Sequence, residues 1–472
     1  MTFTATLDTL PSEILLQIFS QVTPHDLSTI ARTSKGLSEI ATPLLWNDIE
    51  LHEEGYHESK HELKIPPPAR NPACRPYHSK QPWGGGQGAS MKASQFFSIL
   101  QMMHKENPSR LEQIAKRIRH FCSVINSSWR PVDDNYEPID PEGISVWHLL
   151  PYFSNLETLE LYGDCCYSHE QEQQVSEVPG LPPKLQFLKL SGYMPREVPS
   201  WLLKAGDTLE RLELDMLDRP ISTCLAHNPS FSPLPSEKLN ANDDGGDDES
   251  DYGSLYGEMV IPRPLGGYLT AYKDGELRLP KLKHLFFGQP AESTQSNDLM
   301  QYSWSKRAET ACHEDWRKIL NASIKTLETL VLEQRPAADF IENDAYSEEE
   351  WMAGRIWSHA SQALLNIVET AISQAYSTCL RRVYLYGMAI GAEDGELRFP
   401  AGEFMQFLKD RGVECEARRG KWCFFNKQDG TVYWCPWDAA DDSDEDEDSD
   451  EDEDTDGEDT WDTKWDTVLM RA

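Results

Sequence analysis

The chain has 472 residues, with 44 basic and 79 acidic side chains and a formal charge of −35. At about 150 residues per domain the length allows roughly three domains. The acidic balance argues against binding nucleic acid through its phosphates and against docking on anionic membranes. No run of apolar residues is long enough to span a bilayer, so no membrane segment is expected. The first residues lack a basic start and hold Asp8 and Glu13 within their apolar part, unlike a secretory signal. Ten cysteines without regular spacing then read as reduced thiols of an intracellular protein, in the cytoplasm, the nucleus or both.

Three short helices are expected inside residues 7–51. Pro11 suits a first helical turn, and Ile14, Leu15, Ile18 and Phe19 follow at helical spacing. Pro24 breaks that helix. Asp26 is the expected N-cap of a second helix carrying Leu27, Ile30 and Ala31. Ser34 opens a third, with Leu37, Ile40, Ala41, Leu44 and Leu45 on its apolar side. About 45 residues cannot bury that much apolar surface internally, so the helices are expected to dock, on the rest of the chain or on a partner.

The run Leu10-Pro11-x-Glu13-Ile14-Leu15, then Ile18-Phe19, Asp26-Leu27, Ser34-Lys35 and the closing Leu45-Trp46 with Ile49 resembles an F-box. Gly36-Leu37 departs from the aromatic that the family often carries there. The resemblance implies that this module binds a Skp-family adaptor and, through it, a cullin–RING ubiquitin ligase. The matching adaptor-binding positions are Leu10, Pro11, Ile14, Leu15, Ile18, Leu27 and Ile30.

Residues 52–92 are charged, then Pro-rich, then Gly-rich, and read as a linker or exposed loop. No Gly-Lys-Ser/Thr follows the glycines, so they make no phosphate loop. His52, His57 and His61 lack a second ligand cluster and read as solvated side chains rather than a metal site. Two helices are expected next, one carrying Phe96, Phe97, Leu100 and Met103 and one carrying Leu111, Ile114 and Ile118.

A six-residue frame, L-x-x-L-x-L, then recurs. It starts at Leu156, Leu185, Leu209, Leu282, Leu327 and Leu380, with Phe287 closing the Leu282 copy and Val383 in the second leucine position of the Leu380 copy, and with a degenerate copy at Ile118. Its last three positions alternate, as a short strand with one buried face does. Two of the longer gaps hold expected helices, from Trp316 to Ile324 and from Trp351 to about Ala375, the latter with Ile356, Ala360, Leu364, Ile367 and Ala371 on one face. The units resemble an irregular leucine-rich-repeat array, without the Asn or Cys that usually follows the strand. With the F-box, the chain resembles fungal F-box domain-containing proteins. Residues 226–270 interrupt the array with Pro-rich and acidic sequence and read as a disordered insert.

Residues 422–425 and 431–434 flank Asp429-Gly430 as a hairpin would, expected to cover the open end of the array. Cys415, Cys423 and Cys435 have no zinc-site spacing. From 438 to 472 the chain holds 18 acids and two bases and is expected to stay unfolded. Ser443, Ser449 and Thr455 each precede an acid by three residues and are candidate phosphorylation sites. Trp461, Trp465, Val468 and Leu469 lie at helical spacing and suit folding on a partner.

The expected fold class is α/β: a three-helix F-box at 7–51, a linker at 52–92, a leucine-rich-repeat-like solenoid with a short parallel sheet at 93–437, and a disordered acidic tail at 438–472. No catalytic, metal-binding or cofactor motif stands out, so no enzyme activity and no cofactor are expected. The reading is a substrate-recognition subunit of an SCF-type ubiquitin ligase. Its repeats would recruit an unidentified protein target, basic if charge guides it. The alternative is a non-catalytic scaffold outside ubiquitin transfer.

Overall fold

The computed structural model describes residues 10–51, 88–126, 143–163, 178–192, 194–195, 197–216, 221–222, 259–260, 269, 276–291, 306–340, 359–386, 388, 400–418, 422–426 and 432–435. His52, His57, His61, Trp351, Ile356, Trp461 and the whole span 438–472, with Ser443, Ser449 and Thr455, lie outside the described residues.

Three helices come first: α1 (Ser12–Phe19), α2 (Pro24–Ala31) and α3 (Lys35–Leu45). Pro11 is the N-cap of α1 rather than part of its first turn; its carbonyl accepts from the N–H groups of Ile14 and Leu15. Pro24 starts α2 rather than merely ending α1, at a position whose N–H would have no helical partner. The cap of α2 is Thr23, not Asp26: Thr23 Oγ1 accepts from the Asp26 N–H at 3.2 Å. Ser34 caps α3 as expected, accepting from the Leu37 N–H at 3.2 Å. The three helices close on a small core of Leu15, Phe19, Leu27, Leu37 and Ala41.

Directly after α3 the chain enters β1 (Asp48–Leu51), the first strand of the main sheet. The helical module is thus joined to the rest by a shared strand. Then come α4 (Gly88–Glu106), which starts inside the span read as linker, and α5 (Pro108–Ala115). Strands and short helices alternate from there. They are β2 (His120–Ile125), a 3-10 helix (Val146–Tyr152), β3 (Thr158–Gly163), β4 (Phe187–Gly192), α6 (Glu197–Leu202) and β5 (Arg211–Leu214). A two-residue pair, β6 (Ile221–Ser222) with β7 (Met259–Val260), frames the insert, so part of the span expected to be structureless forms an antiparallel contact. The last elements are β8 (His284–Ala291), α7 (Lys306–Ser323), β9 (Thr329–Phe340), α8 (His359–Gln374), β10 (Arg382–Tyr386), α9 (Pro400–Lys409), β11 (Glu414–Arg418), β12 (Trp422–Asn426) and β13 (Val432–Cys435).

The sheet order is β1-β2-β3-β4-β5-β8-β9-β10-β11, all parallel. Each strand lies beside its predecessor in that series, with no reversal of direction along the sheet. Such stacking makes each unit contact only its neighbours, as in a solenoid. The copies of the L-x-x-L-x-L frame sit in register. Leu159, Leu188, Leu212, Leu285, Leu330 and Val383 form one cross-strand row. Leu161, Leu190, Leu214, Phe287, Leu332 and Leu385 form a second. Both rows, with the frame's first leucines, lie in one continuous core.

A second register runs along the N-terminal edge of the strands. The carbonyls of Asn47, Arg119, Glu157, Gln186, Glu210, Lys283 and Glu328 each accept two consecutive N–H groups from the next unit. Side chains reinforce it one step earlier. Asn155 Nδ2 donates to the Lys116 carbonyl at 2.7 Å, and the hydroxyls of Thr208, Thr326 and Thr378 donate to the carbonyls of Leu185, Leu282 and Ile324. Here the side-chain bonds between successive units precede the strand.

The alternating frame implied one buried strand face, yet β3 and β5 are buried at every position. Glu160, Lys189, Glu213, Phe286, Val331 and Tyr384, on the face opposite the leucine rows, are all buried. Charge is tolerated there because it is paired: Lys189 Nζ lies 2.6 Å from Glu160 Oε1, and Arg211 Nε donates to Glu213 Oε1 at 2.8 Å. The hairpin forms between β12 and β13 as expected, but β12 pairs with the far half of β9 at Ala337–Phe340 rather than covering β11.

Close approach fixes one glycine. A methyl on Gly206 would overlap the backbone carbonyl oxygen of Arg278, which leads into β8. Gly206→Ala is expected to cost about 1–3 kcal/mol through forced backbone movement, read as a lower melting temperature. One histidine gives an acid-side prediction. Burial pushes the His284 imidazole below its ordinary value, against a smaller opposing pull from Glu328. The folded state therefore binds fewer protons than the unfolded one, so stability falls as pH drops below about 6.5. Thermal melts of the native chain should decline more steeply between about pH 6.5 and 5 than those of His284→Gln.

Candidate functional site

The helical module divides its apolar residues into two sets. Leu15 and Phe19, one turn apart on α1, fill the module core, with Leu15 at 3% exposure. Ile14 and Ile18, also one turn apart, face outward at 42% and 40%. Pro11 at the head of α1 is exposed, while Leu10 and Ile30 are half-buried at the margin of the core. Leu27 is buried within it. The sequence-derived set thus splits: Pro11, Ile14 and Ile18 are presented to solvent, and Leu15 and Leu27 hold the helices together. Leu16, absent from that set, is exposed at 44% on another side of α1.

The module runs directly into the sheet. Trp46, Ile49 and Leu51 pack on the main core, and the Trp46 ring lies against Phe96 of α4 with centroids 6.3 Å apart. The Asn47 carbonyl starts the edge ladder of the sheet.

Residues 7–52 match the family model described as F-box-like. The chain carries an N-terminal F-box-like domain. No curated protein matches the sequence. An F-box domain supports a role as an adaptor-binding subunit of SCF-type ubiquitin ligases in general, engaging a Skp-family adaptor and through it a cullin. F-box proteins are generally substrate adaptors rather than enzymes.

Two described cysteines outside the F-box have perturbed thiols. Burial raises the Cys122 thiol well above its usual value, with Glu160 adding to the shift. Burial, then Glu416, pushes Cys415 up to about 12. Both thiols stay protonated at neutral pH and are poor nucleophiles. Among the described residues no group of His, Cys, Asp and Glu is arranged to hold a metal ion. No helix among them is long and apolar enough to cross a membrane.

Proposed function

We propose that the protein is the substrate-recognition subunit of an SCF-type ligase. The exposed face of α1, with Pro11, Ile14 and Ile18, docks the Skp-family adaptor, and Leu10 and Ile30 line its margin. Leu15 and Leu27 act indirectly, by keeping that face in place. The leucine-rich-repeat-like array recruits the protein target, and the chain does no bond chemistry itself; it raises the target's effective concentration beside the ligase. The segments 7–51, 52–92, 93–437 and 438–472 act as adaptor module, linker, target-binding array and acidic tail, in the cytoplasm, the nucleus or both. Acid-directed phosphorylation at Ser443, Ser449 and Thr455 tunes the tail.

The observation that carries this reading is that α1 of an F-box-like domain keeps two isoleucines in solvent while their immediate neighbours fill its core. Purification of the full chain from cells under proteasome block should recover adaptor, cullin and ubiquitylated target together. Recovery of adaptor without cullin or ubiquitylation activity would replace the receptor by a scaffold; recovery of no adaptor would end the receptor reading.

A further inference from the structure

The two leucine rows of the core end differently at the two sides of the sheet. At the β1 side they end in Ile49 and Leu51, which pack on the core together with Trp46 and Phe96. At the β11 side they continue into Cys415 and Ala417, opposite Val383 and Leu385. Val383 and Leu385 are fully buried, whereas Cys415 and Ala417 are half-buried. The hairpin does not extend the sheet here, because β12 pairs with β9 and β13 with β12. Between α9 and β11 lies an open groove of about 570 Å³, lined among others by Gly402, Met405, Lys409, Val413 and Cys415.

Among the described residues β11 pairs with β10 alone. The Glu414 N–H donates to the Arg381 carbonyl at 2.9 Å. Successive peptide groups of a strand turn to opposite sides. Those of Glu416 therefore face β10 as Glu414's do, and those of Cys415 and Ala417 point away from it. An outward row of backbone donors and acceptors thus runs beside an apolar groove, which is the arrangement that takes up one more strand.

Charge selects what is added. The face of β11 opposite the leucine rows carries Glu414 and Glu416, both exposed, with Arg382 of β10 3.1 Å from Glu414. Residues 400–417 hold four acids and two bases. Of the bases, Arg411 is engaged by Phe407: it lies 3.7 Å over the ring and donates to the carbonyl at 3.3 Å. Lys409 is in the groove wall, so bases are disfavoured there and favoured on the glutamate face. Opposite charges on neighbouring strands attract and like charges repel, so the edge discriminates against acidic strands.

We propose that β11 takes up an extended segment of a partner protein as the next strand of the sheet, with small apolar side chains in the groove and basic side chains at alternate positions beside Glu414 and Glu416. That this partner is the ligase target rests on the receptor reading; the strand-binding edge itself does not.

The probe is a fluorescent peptide of alternating lysine and valine, titrated into the native full chain at physiological salt. It should bind saturably and slow hydrogen exchange in the stretch spanning Cys415 and Ala417. Ala417→Pro removes an outward N–H and no ladder bond, so it should weaken binding about ten-fold or more while the melting temperature stays unchanged. One of the two alternately N-methylated forms of the peptide, equal to it in charge, should lose binding to the native chain by a similar factor, so a folding defect in the variant does not decide the outcome. Undiminished binding by Ala417→Pro and of both methylated peptides would show plain attraction to an acidic surface and overturn the proposal. Equal binding of an alternating glutamate–valine peptide, or protection confined to other segments, would overturn it as well. A concentration-dependent dimer of the native chain that Ala417→Pro dissolves would give the edge to a second copy and also overturn it. Adaptor retention is measured alongside: a native chain that binds the peptide but no adaptor keeps the strand-binding edge and loses the receptor reading.

Discussion

Ile14→Asp/Ile18→Asp should abolish adaptor capture while leaving the fold intact. Both side chains are about 40% exposed on α1 and make no part of the module core. Aspartate in solvent at these positions costs the free protein little. In a complex it would have to be desolvated against an apolar partner. Central interface anchors contribute about 2 kcal/mol or more each, so the pair should weaken binding at least roughly 100-fold. The measurement is adaptor retention with purified full chain, alongside a melting curve. Unchanged retention would remove α1 from the interface and with it the surface proposed above.

Leu15→Ala supplies the contrast. It should lower adaptor capture too, but through loss of the module's five-residue core, at a cost of about 2–5 kcal/mol. A melting transition lost or shifted with Leu15→Ala and preserved with the double aspartate variant separates presentation from contact.

What the sequence conveyed, and what it hid, follows from the physics of the two periods involved. The frame L-x-x-L-x-L pointed to strands because leucines two apart on a strand share a face, and six copies stack Leu159 through Val383 into one row. β1 and β11 escaped it: Asp48-Ile-Glu-Leu51 and Glu414-Cys-Glu-Ala-Arg418 join the ladder by backbone pairing without the leucine frame. The residue just before the frame did carry a signal, Asn155, Thr208 and Thr326, whose short polar side chains bond the preceding unit. Charged positions such as Glu160 and Lys189 read as solvent-facing, since a lone charge has no place in a core; their partners lie on the neighbouring strand, 29 residues apart in sequence, where no period shows them. On α1 the four apolar residues Ile14, Leu15, Ile18 and Phe19 share one helical stripe. Periodicity cannot tell which two face inward, so the family resemblance placed Leu15 and Leu27 in the interface set although both sit in the core.

The buried pair Arg211–Glu213 gives the largest stability effect expected in the array. Both residues are about 2–3% exposed, and Arg211 Nε donates to Glu213 Oε1 at 2.8 Å. They sit in the middle of the sheet, where β5 joins β4 to β8. Glu213→Ala removes one partner and leaves a guanidinium in a dry site, a loss of about 3–5 kcal/mol. For a domain of this size that corresponds to a fall in melting temperature of roughly 10 °C. Arg211→Met/Glu213→Leu removes both charges and keeps apolar bulk. It should restore most of the loss and can reach or exceed native stability, because the desolvation cost of the pair goes with it. If the pair instead anchors the sheet by net attraction, the double variant will melt as low as the single one. That comparison decides whether the charges on this face stabilise the array or only specify how its units line up.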